Sequence, residues 1–430
     1  MPEYEFFSLE EIVYHARKYS PFYRELYSDI PDTDWELKDL PIIDSEKFWE
    51  TNISGKDNRV ITDKDAGGLI FKSGGTTGAP KHSKFGRNEW KTMCYGLGKH
   101  FKSTGLKNGD RFANLFYGGS LYASFLFISH SLMEAPVDVA HFPLSGAAEP
   151  ELILETIKEF DINVLAGVPT TLLKLIDYFE KEKAKLNINK IYFAGETMFN
   201  DQRKRIKRIF PEVTINTAGF ASVDAGFLAF ADDSCGFNEH RVMDGFAIIE
   251  IIDAETGEPI KETNKEGLMV ATNLTRKLMP IIRYPVGDNA MWKEEENTPN
   301  RKFVLLGRSE SGARVGPATV YVSDIARIVE KFSNEIEIKN FQLLVEHIEQ
   351  LDRLTLNLCV NKKEEELSAI EEKIIETLFE EREMLSDLIK NKLIHPVKIK
   401  WINESELIIN KRTGKCMRVV DERIKKEISS

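Results

Sequence analysis

The sequence predicts an α/β protein: a large layered α/β domain with an antiparallel β portion, then a small α+β domain. Three observations predict it. Between residues 111 and 219, short apolar runs alternate with amphipathic stretches. From 245 onward, strand-like runs follow one another through Gly-containing turns. Beyond about 308, short strands surround a long charged segment, 363–392.

Taken in order, "SLEEIVYHARKY" places Glu11 three residues after Ser8, a capping-box start for an amphipathic helix. "RFANLFY" (111–117) then reads as a strand before an apolar helix at 121–133. "INVLAG" (162–167) precedes the helical "PTTLLKLIDYFEKEKAKL", and "KIYFAG" (190–195) precedes "NDQRKRIKRIF". "VTINTAG" (213–219) completes the alternation, which is the mark of βαβ units. "GFAIIEIIDAETGEPI" and "KEGLMVATNL" read as strands of an antiparallel portion. A domain boundary is expected between 307 and 308, giving domains 1–307 and 308–430. In the second, "QLLVEH", "LTLNLCV" and "HPVKIKWI" are strands around one long charged helix, 363–392, whose acidic face is solvated.

Composition narrows the function. At 430 residues, 42% apolar and 30% charged, the chain has the make-up of a soluble globular protein of two or more domains. A net charge of -11 argues against a general nucleic-acid binder, because phosphate backbones reward excess Lys and Arg. The four cysteines (Cys94, Cys235, Cys359, Cys416) form no C-x-x-C pair, which fits free thiols in a reducing compartment. The acidic start "MPEYEFFSLEE" is unlike a signal peptide, and 121–133 is too short to span a bilayer. A cytoplasmic protein without a membrane partner is the expectation, and a homodimer stays open.

"FKSGGTTGAPK" (71–81) is the stretch with chemistry in it. After a strand ("GGLIFKS"), glycines let the backbone approach an anion closely, and hydroxyls and Lys81 add donors. It is not a Walker A loop, and its composition equally suits a flexible turn. In "RYPVGDNAMW" (283–292), Asp288 suits either a sugar-hydroxyl clamp or the tip of a β-turn. Lys415, in "KRTGKCMRVVDER" (411–423), is by itself an ordinary surface lysine.

Read together, these segments resemble the adenylate-forming superfamily. Ser73 to Lys81 is similar to its [ST]-S-G-T-T-G-x-P-K phosphate loop, with Gly74 at the second Ser. "RYPVGD" is similar to Y-R-T-G-D. "LGRSESGARVG" (306–316) resembles the hinge motif, with Glu310 where Asp is usual and Arg314 where Lys is usual. "RTGKCMR" resembles the C-terminal lysine motif. The motifs occur in the family's order over roughly residues 70 to 420. "SPFYREL" (20–26), "FAGETM" (193–198) and "EIIDAETGEPI…RYPVGD" look most like the phenylacetate-CoA ligase group.

The resemblance implies ATP-dependent activation of an aryl or medium-sized apolar carboxylic acid, then transfer to CoA, with ATP, Mg²⁺ and coenzyme A as cofactors. It implies that Ser73, Gly74, Gly75, Thr76, Thr77, Gly78 and Lys81 cradle the phosphates. Gly195 and Glu196 would meet adenine, Asp288 the ribose, and Arg308 ribose and phosphate. Lys415 would be catalytic, on a mobile C-terminal domain hinged at Glu310. At "NTAGFASVDAG" (216–226), Ser222 stands where the family's magnesium-linked Glu belongs, so Asp224 is expected to supply that carboxylate. A helix-capping role for Asp224 is the bland alternative. The acid pocket is expected between 117–127 and the 193–222 turns, from Tyr117, Gly118, Gly119, Gly219 and Phe220, unless these aromatics are simply core. Only Cys235 and His240 lie near "DDSCGFNEHRV", too few ligands for a closed zinc site, so none is expected. Two alternatives stay open: an adenylating enzyme that loads a carrier protein or transfers only AMP, and a catalytically degenerate relative.

Overall fold

The first helices form where the sequence signals them. In the computed structural model, which describes residues 4–53, 57–73, 81–254, 256–308, 312–360, 367–409 and 416–423, α1 (Leu9–Tyr19) opens on the capping box. Ser8 Oγ accepts from Glu11 N–H, and the Glu11 carboxylate accepts from Ser8 N–H at 2.8 Å. α2 (Pro21–Leu26) and α3 (Ser45–Thr51) follow. Their apolar faces (Ile12, Val13, Ala16, Phe22, Tyr23, Phe48) bury against strand residues far along the chain, among them Leu228, Met269, Trp292 and Phe303. Each such side chain contributes about 1.5–3 kcal/mol when fully buried. Tyr23, wholly buried, still finds an acceptor: its OH donates to the Pro280 carbonyl at 2.7 Å.

β1 (Leu69–Ser73) and β2 (Lys81–Phe85) pair antiparallel, and the last rung joins Ser73 to Lys81. After α4 (Arg87–Ser103), the expected alternation appears: β3 (Arg111–Asn114), α5 (Ser124–Glu134), β4 (Ala140–Phe142), α6 (Pro150–Glu159), β5 (Val164–Gly167), α7 (Pro169–Lys181), β6 (Lys190–Phe193), α8 (Asn200–Ile209) and β7 (Thr214–Thr217). Its five strands make a parallel sheet in the order β4-β3-β5-β6-β7. β5 and β6 are buried at every position, which is why they read as continuous runs, apolar except for Lys190, and not as alternation.

The antiparallel portion is a seven-stranded sheet. It comprises β8 (Phe220–Ser222), β9 (Gly226–Phe230), β10 (Glu239–Val242), β11 (Ala247–Ile252), β12 (Glu266–Asn273), β13 (Tyr284–Trp292) and β14 (Lys302–Arg308), ordered β11-β12-β13-β14-β10-β9-β8. Between β12 and β13 sits Arg283, 3% exposed, with φ +48 and a two-pronged ion pair to Glu250 at 3.0 Å on both prongs. It also donates to the carbonyls of Lys38 and Leu40.

The chain falls into two compact units, the first mainly from residues before Leu306, the second mainly from Leu306 onward. The second holds the hairpin β15 (Gly312–Val315) and β16 (Ala318–Tyr321), α9 (Val322–Lys331), β17 (Ile338–Ile348) and β18 (Leu351–Val360). Then come α10 (Leu367–Glu381), α11 (Glu383–Lys390), β19 (Lys398–Ile402) and β20 (Val419–Asp421). Its four-stranded sheet runs β19-β18-β17-β20. One expectation is corrected here. The charged segment 363–392 is not one helix, because Arg382, with φ -135 and ψ 68, breaks it between α10 and α11. The break coincides with two hydrogen bonds from Arg382 to the buried Asp324, at 2.8 and 2.7 Å, which hold that residue against α9.

Candidate active site

The pairing of Ser73 with Lys81 closes the base of the glycine-threonine loop and delivers Lys81 to a polar cluster inside the first unit. Opposite it stands Asp224, in the turn between β8 and β9. That turn is a hairpin bend and starts no helix, so the capping alternative for Asp224 is overturned. Ser222 Oγ accepts from Ala225 N–H at 2.8 Å, and Gly226 takes φ +88. A Cβ at Gly226 would lie 2.5 Å from Asn273 Nδ2, so glycine is required there. Ser222 is thus spent on the turn, and Asp224 projects the carboxylate.

Asp224 Oδ2 lies 3.8 Å from Lys81 Nζ and accepts from Tyr284 OH at 3.1 Å. Tyr284 OH in turn accepts from Trp49 Nε1 at 2.9 Å, and Lys81 Nζ sits 5.4 Å from the Trp49 ring centre. Burial, with the nearby Asp224 charge, pushes the Tyr284 hydroxyl well above its ordinary range, so it stays protonated and donates. The result is an ammonium and a carboxylate, each with little exposure (12% and 17% of the side chain), at the foot of the loop. Asp224 supplies a single carboxylate, which suits a magnesium ion that arrives on a nucleotide's phosphates and keeps most of its oxygen ligands from phosphate and water.

Asp288 sits within β13, not at a turn tip. Register passes from Leu268↔Asn289 to Val270↔Pro285, so Val286, Gly287 and Asp288 bulge opposite Met269. Gly287 carries the positive φ, +83, that the bulge demands. A bulge re-aims a side chain, and here it acts on the half-buried Asp288. Gly195 follows β6 with φ +85, and the next residue, Glu196, reaches the start of α7. Its carboxylate accepts from Thr170 N–H at 3.2 Å and Thr170 Oγ1 at 2.9 Å, where the helix N-terminus favours negative charge.

The expected acid-pocket residues do not all meet. Gly118 and Gly119 line an open apolar cleft of about 340 Å³ with Leu69, Ile70, Phe71, Leu121 and Phe125. A Cβ on Gly118 would come within 3.2 Å of the Phe125 side chain. The cleft's rim is strained, since Ser120 and Leu121 take φ +47 and +64. Tyr117, Gly219 and Phe220 are not among its lining residues. Tyr117 instead exchanges a hydrogen bond with Thr171 at 2.9 Å. Gly219, at φ +93, abuts the Phe227 ring, and Phe220 lies 5.9 Å from the ring of His240.

His240, stacked on Phe303, is held neutral by burial, its pKa lowered from 6.5 to about 4 against the pull of the Asn238 carbonyl. His100 is lowered in the same direction, also by burial. A histidine depressed on folding stabilises above its unfolded pKa and loses that contribution as pH falls. The stability of the first unit to denaturant is therefore expected to fall from about pH 6.5 to about pH 4, by up to about 1.4 kcal/mol per pH unit for His240. His240→Gln is expected to flatten that slope, and an unchanged slope would show that protonation occurs elsewhere.

Gly74, Gly75, Thr76, Thr77, Gly78, Glu310 and Lys415 lie outside the described residues, as do the side chains of Ser73 and Arg308. Sequence reasoning missed Trp49 and Tyr284. Tyr284 opens the "YPVGD" motif and was within reach, whereas nothing in "KFWET" marks Trp49 as a neighbour of residue 81.

No protein-family model matches the sequence. Phenylacetate-coenzyme A ligase of Thermus thermophilus is 23% identical over 364 residues, covering 82% of this chain and 80% of that protein. Indoleacetate–lysine synthetase of Pseudomonas savastanoi is 26% identical over 257 residues, covering 58% of this chain and 59% of that protein. Among solved structures, 2-hydroxyisobutyryl-CoA ligase, with its acyl-AMP and CoA in the thioesterification state, aligns with a TM-score of 0.72 at 17% identity. That alignment covers 98% of this chain and 90% of the other. Four motifs in order and these likenesses agree: the chain resembles adenylate-forming enzymes, in sequence the phenylacetate-CoA ligases, and it shares the fold of the 2-hydroxyisobutyryl-CoA ligase.

Proposed function

We propose that this protein joins a carboxylic acid to CoA in two steps. The acid's carboxylate attacks the α-phosphorus of ATP, pyrophosphate leaves, and an acyl-adenylate forms. A CoA thiolate then attacks the acyl carbon and AMP leaves. Neither step needs a protein nucleophile, so the protein's task is positioning and charge neutralisation. The observation that carries the reading is the Lys81–Asp224 pair at the base of the 73–81 loop. It sets a cation and a metal-compatible carboxylate where a triphosphate would lie. Magnesium, when bound there with ATP, would offset the phosphate charge, and Asp224 is the residue to hold it. Asp288, aimed by its bulge, is assigned to the ribose hydroxyls, and Lys415 to the reacting carboxylate and α-phosphate.

The acid is assigned to the aryl or medium-sized apolar class. Among the described residues the cleft beside Gly118 is lined by Leu, Ile, Phe, Tyr and Gly, which offer a charged acyl group no charged partner. Two relatives of the chain are named for arylacetic acids. One of them, the indoleacetate–lysine synthetase, raises an amine as a second acceptor.

ATP–pyrophosphate exchange with a panel of acids tests the first step. Arylacetic and medium-chain acids are expected to drive exchange, and short hydroxy acids or dicarboxylates are not. AMP release is then followed with CoA or lysine added. CoA dependence supports the ligase reading, and lysine dependence replaces it with amide synthesis. No exchange with any acid would leave a catalytically degenerate relative.

A further inference from the structure

Arg276 is 1% exposed and carries its charge with no carboxylate in hydrogen-bond contact among the described residues. One guanidinium nitrogen donates to the Asp224 carbonyl at 2.6 Å and the other to the Lys84 carbonyl at 3.1 Å. The guanidinium lies over the Phe85 ring, 3.9 Å from its centre, and Nε finds no acceptor among the described residues. Burial lowers its pKa to about 10, so it stays charged at neutral pH.

The Glu89 and Asp224 carboxylates offset its charge through space without bonding to it, and a buried cation with no bonded carboxylate is expensive. What the guanidinium alone does is span two backbones. Lys84 belongs to β2, the strand that begins with Lys81, and Asp224 is the tip of the β8–β9 bend. The neighbouring Ala225 carbonyl is taken at 2.7 Å by Asn273, also buried, so the bend is pinned twice, from the last residue of β12 and from the segment just after it. Both ends of the Lys81–Asp224 pair therefore hang from one planar, two-pronged donor.

We infer that Arg276 is a positioning residue for nucleotide binding, setting the Asp224 carboxylate against Lys81 by holding the two backbones that carry them. The inference rests on the reading that Lys81 meets the triphosphate. A lysine keeps the charge but lacks the planar fork, so it does not hold both carbonyls at the guanidinium's spacing.

The test compares Arg276→Lys and Arg276→Met with Lys81→Ala and the unaltered protein. Readouts are ATP affinity by calorimetry, ATP–pyrophosphate exchange, thioester formation from a pre-made acyl-adenylate with CoA, and thermal melting. Arg276→Lys is expected to fold, to weaken ATP binding, and to slow exchange by up to about 10²-fold, the scale of a 1 Å misplacement. Thioester formation from the pre-made adenylate is expected to stay within about twofold, a split that a merely structural role would not produce. If Arg276→Lys folds and binds ATP as tightly as the unaltered protein, the inference is overturned. It is also overturned if both variants fail to fold, or if both half-reactions slow equally, since the residue is then structural. Unchanged ATP affinity in Lys81→Ala would instead defeat the phosphate reading itself.

Discussion

Lys415→Ala is expected to lower acyl-adenylate formation about 10²–10³-fold, the usual loss when one preorganised donor to a developing charge is removed. The charge in question builds between the attacking carboxylate and the α-phosphate. An ammonium bonds several oxygens without fixed geometry, which suits a phosphorus centre whose oxygens shift during attack. The second step develops its charge on the acyl carbon's oxygen and the departing AMP, so the same variant is expected to make thioester from pre-made acyl-adenylate and CoA at close to the usual rate. Single-turnover assays of the two half-reactions measure this directly. Equal slowing of both would remove Lys415 from the chemistry.

The other large effect is on stability. Arg283→Met leaves the Glu250 carboxylate, 10% exposed, without its two-pronged partner. Breaking a buried pair from one side costs about 3–5 kcal/mol. The Lys38 and Leu40 carbonyls lose their donor as well. Burial already raises the Glu250 pKa, with Arg283 opposing it. Without Arg283 it rises further, and a carboxyl raised on folding loses stability as pH increases through its folded pKa. The deficit in denaturant unfolding is therefore expected to narrow as pH is lowered from neutrality. Replacing both residues, as Arg283→Met with Glu250→Met, is expected to recover part of the loss. A single variant as stable as the unaltered protein would show that Glu250 finds water or another donor.

Much of the fold was legible because local signals and tertiary demands coincide. Ser8 and Glu11 cap α1 as their spacing requires, and β5 and β6 read as continuous runs, apolar except for Lys190, because both faces are covered. The break at Arg382 was not legible. It coincides with a pair of hydrogen bonds to Asp324, 58 residues earlier, and no local residue marks it. The site divides in the same way. The motifs name Lys81 and Asp288, but the bulge that aims Asp288 is a register property of two strands, invisible in "YPVGD". Ser222 and Asp224 were ambiguous in sequence, because a two-residue offset in a short turn has no pattern. The hydrogen bond from Ala225 N–H to Ser222 supports the assignment of the carboxylate to Asp224.

The packing of α1 to α3 against the antiparallel sheet carries a consequence for how the protein is made. Val60 and Ala225, which share that cluster, stand 165 positions apart (225 less 60), with the whole parallel sheet between them. At 5–20 residues per second on the ribosome, the helices wait roughly ten to thirty seconds for their partner strands to be synthesised. Through that interval Ile12, Val13, Phe22 and Phe48 lack the strand residues that complete their burial. The nascent chain is thus most open to aggregation and chaperone capture at its first sixty residues. Slowing translation between codons 60 and 225 is expected to lower the soluble yield more than slowing it after codon 306.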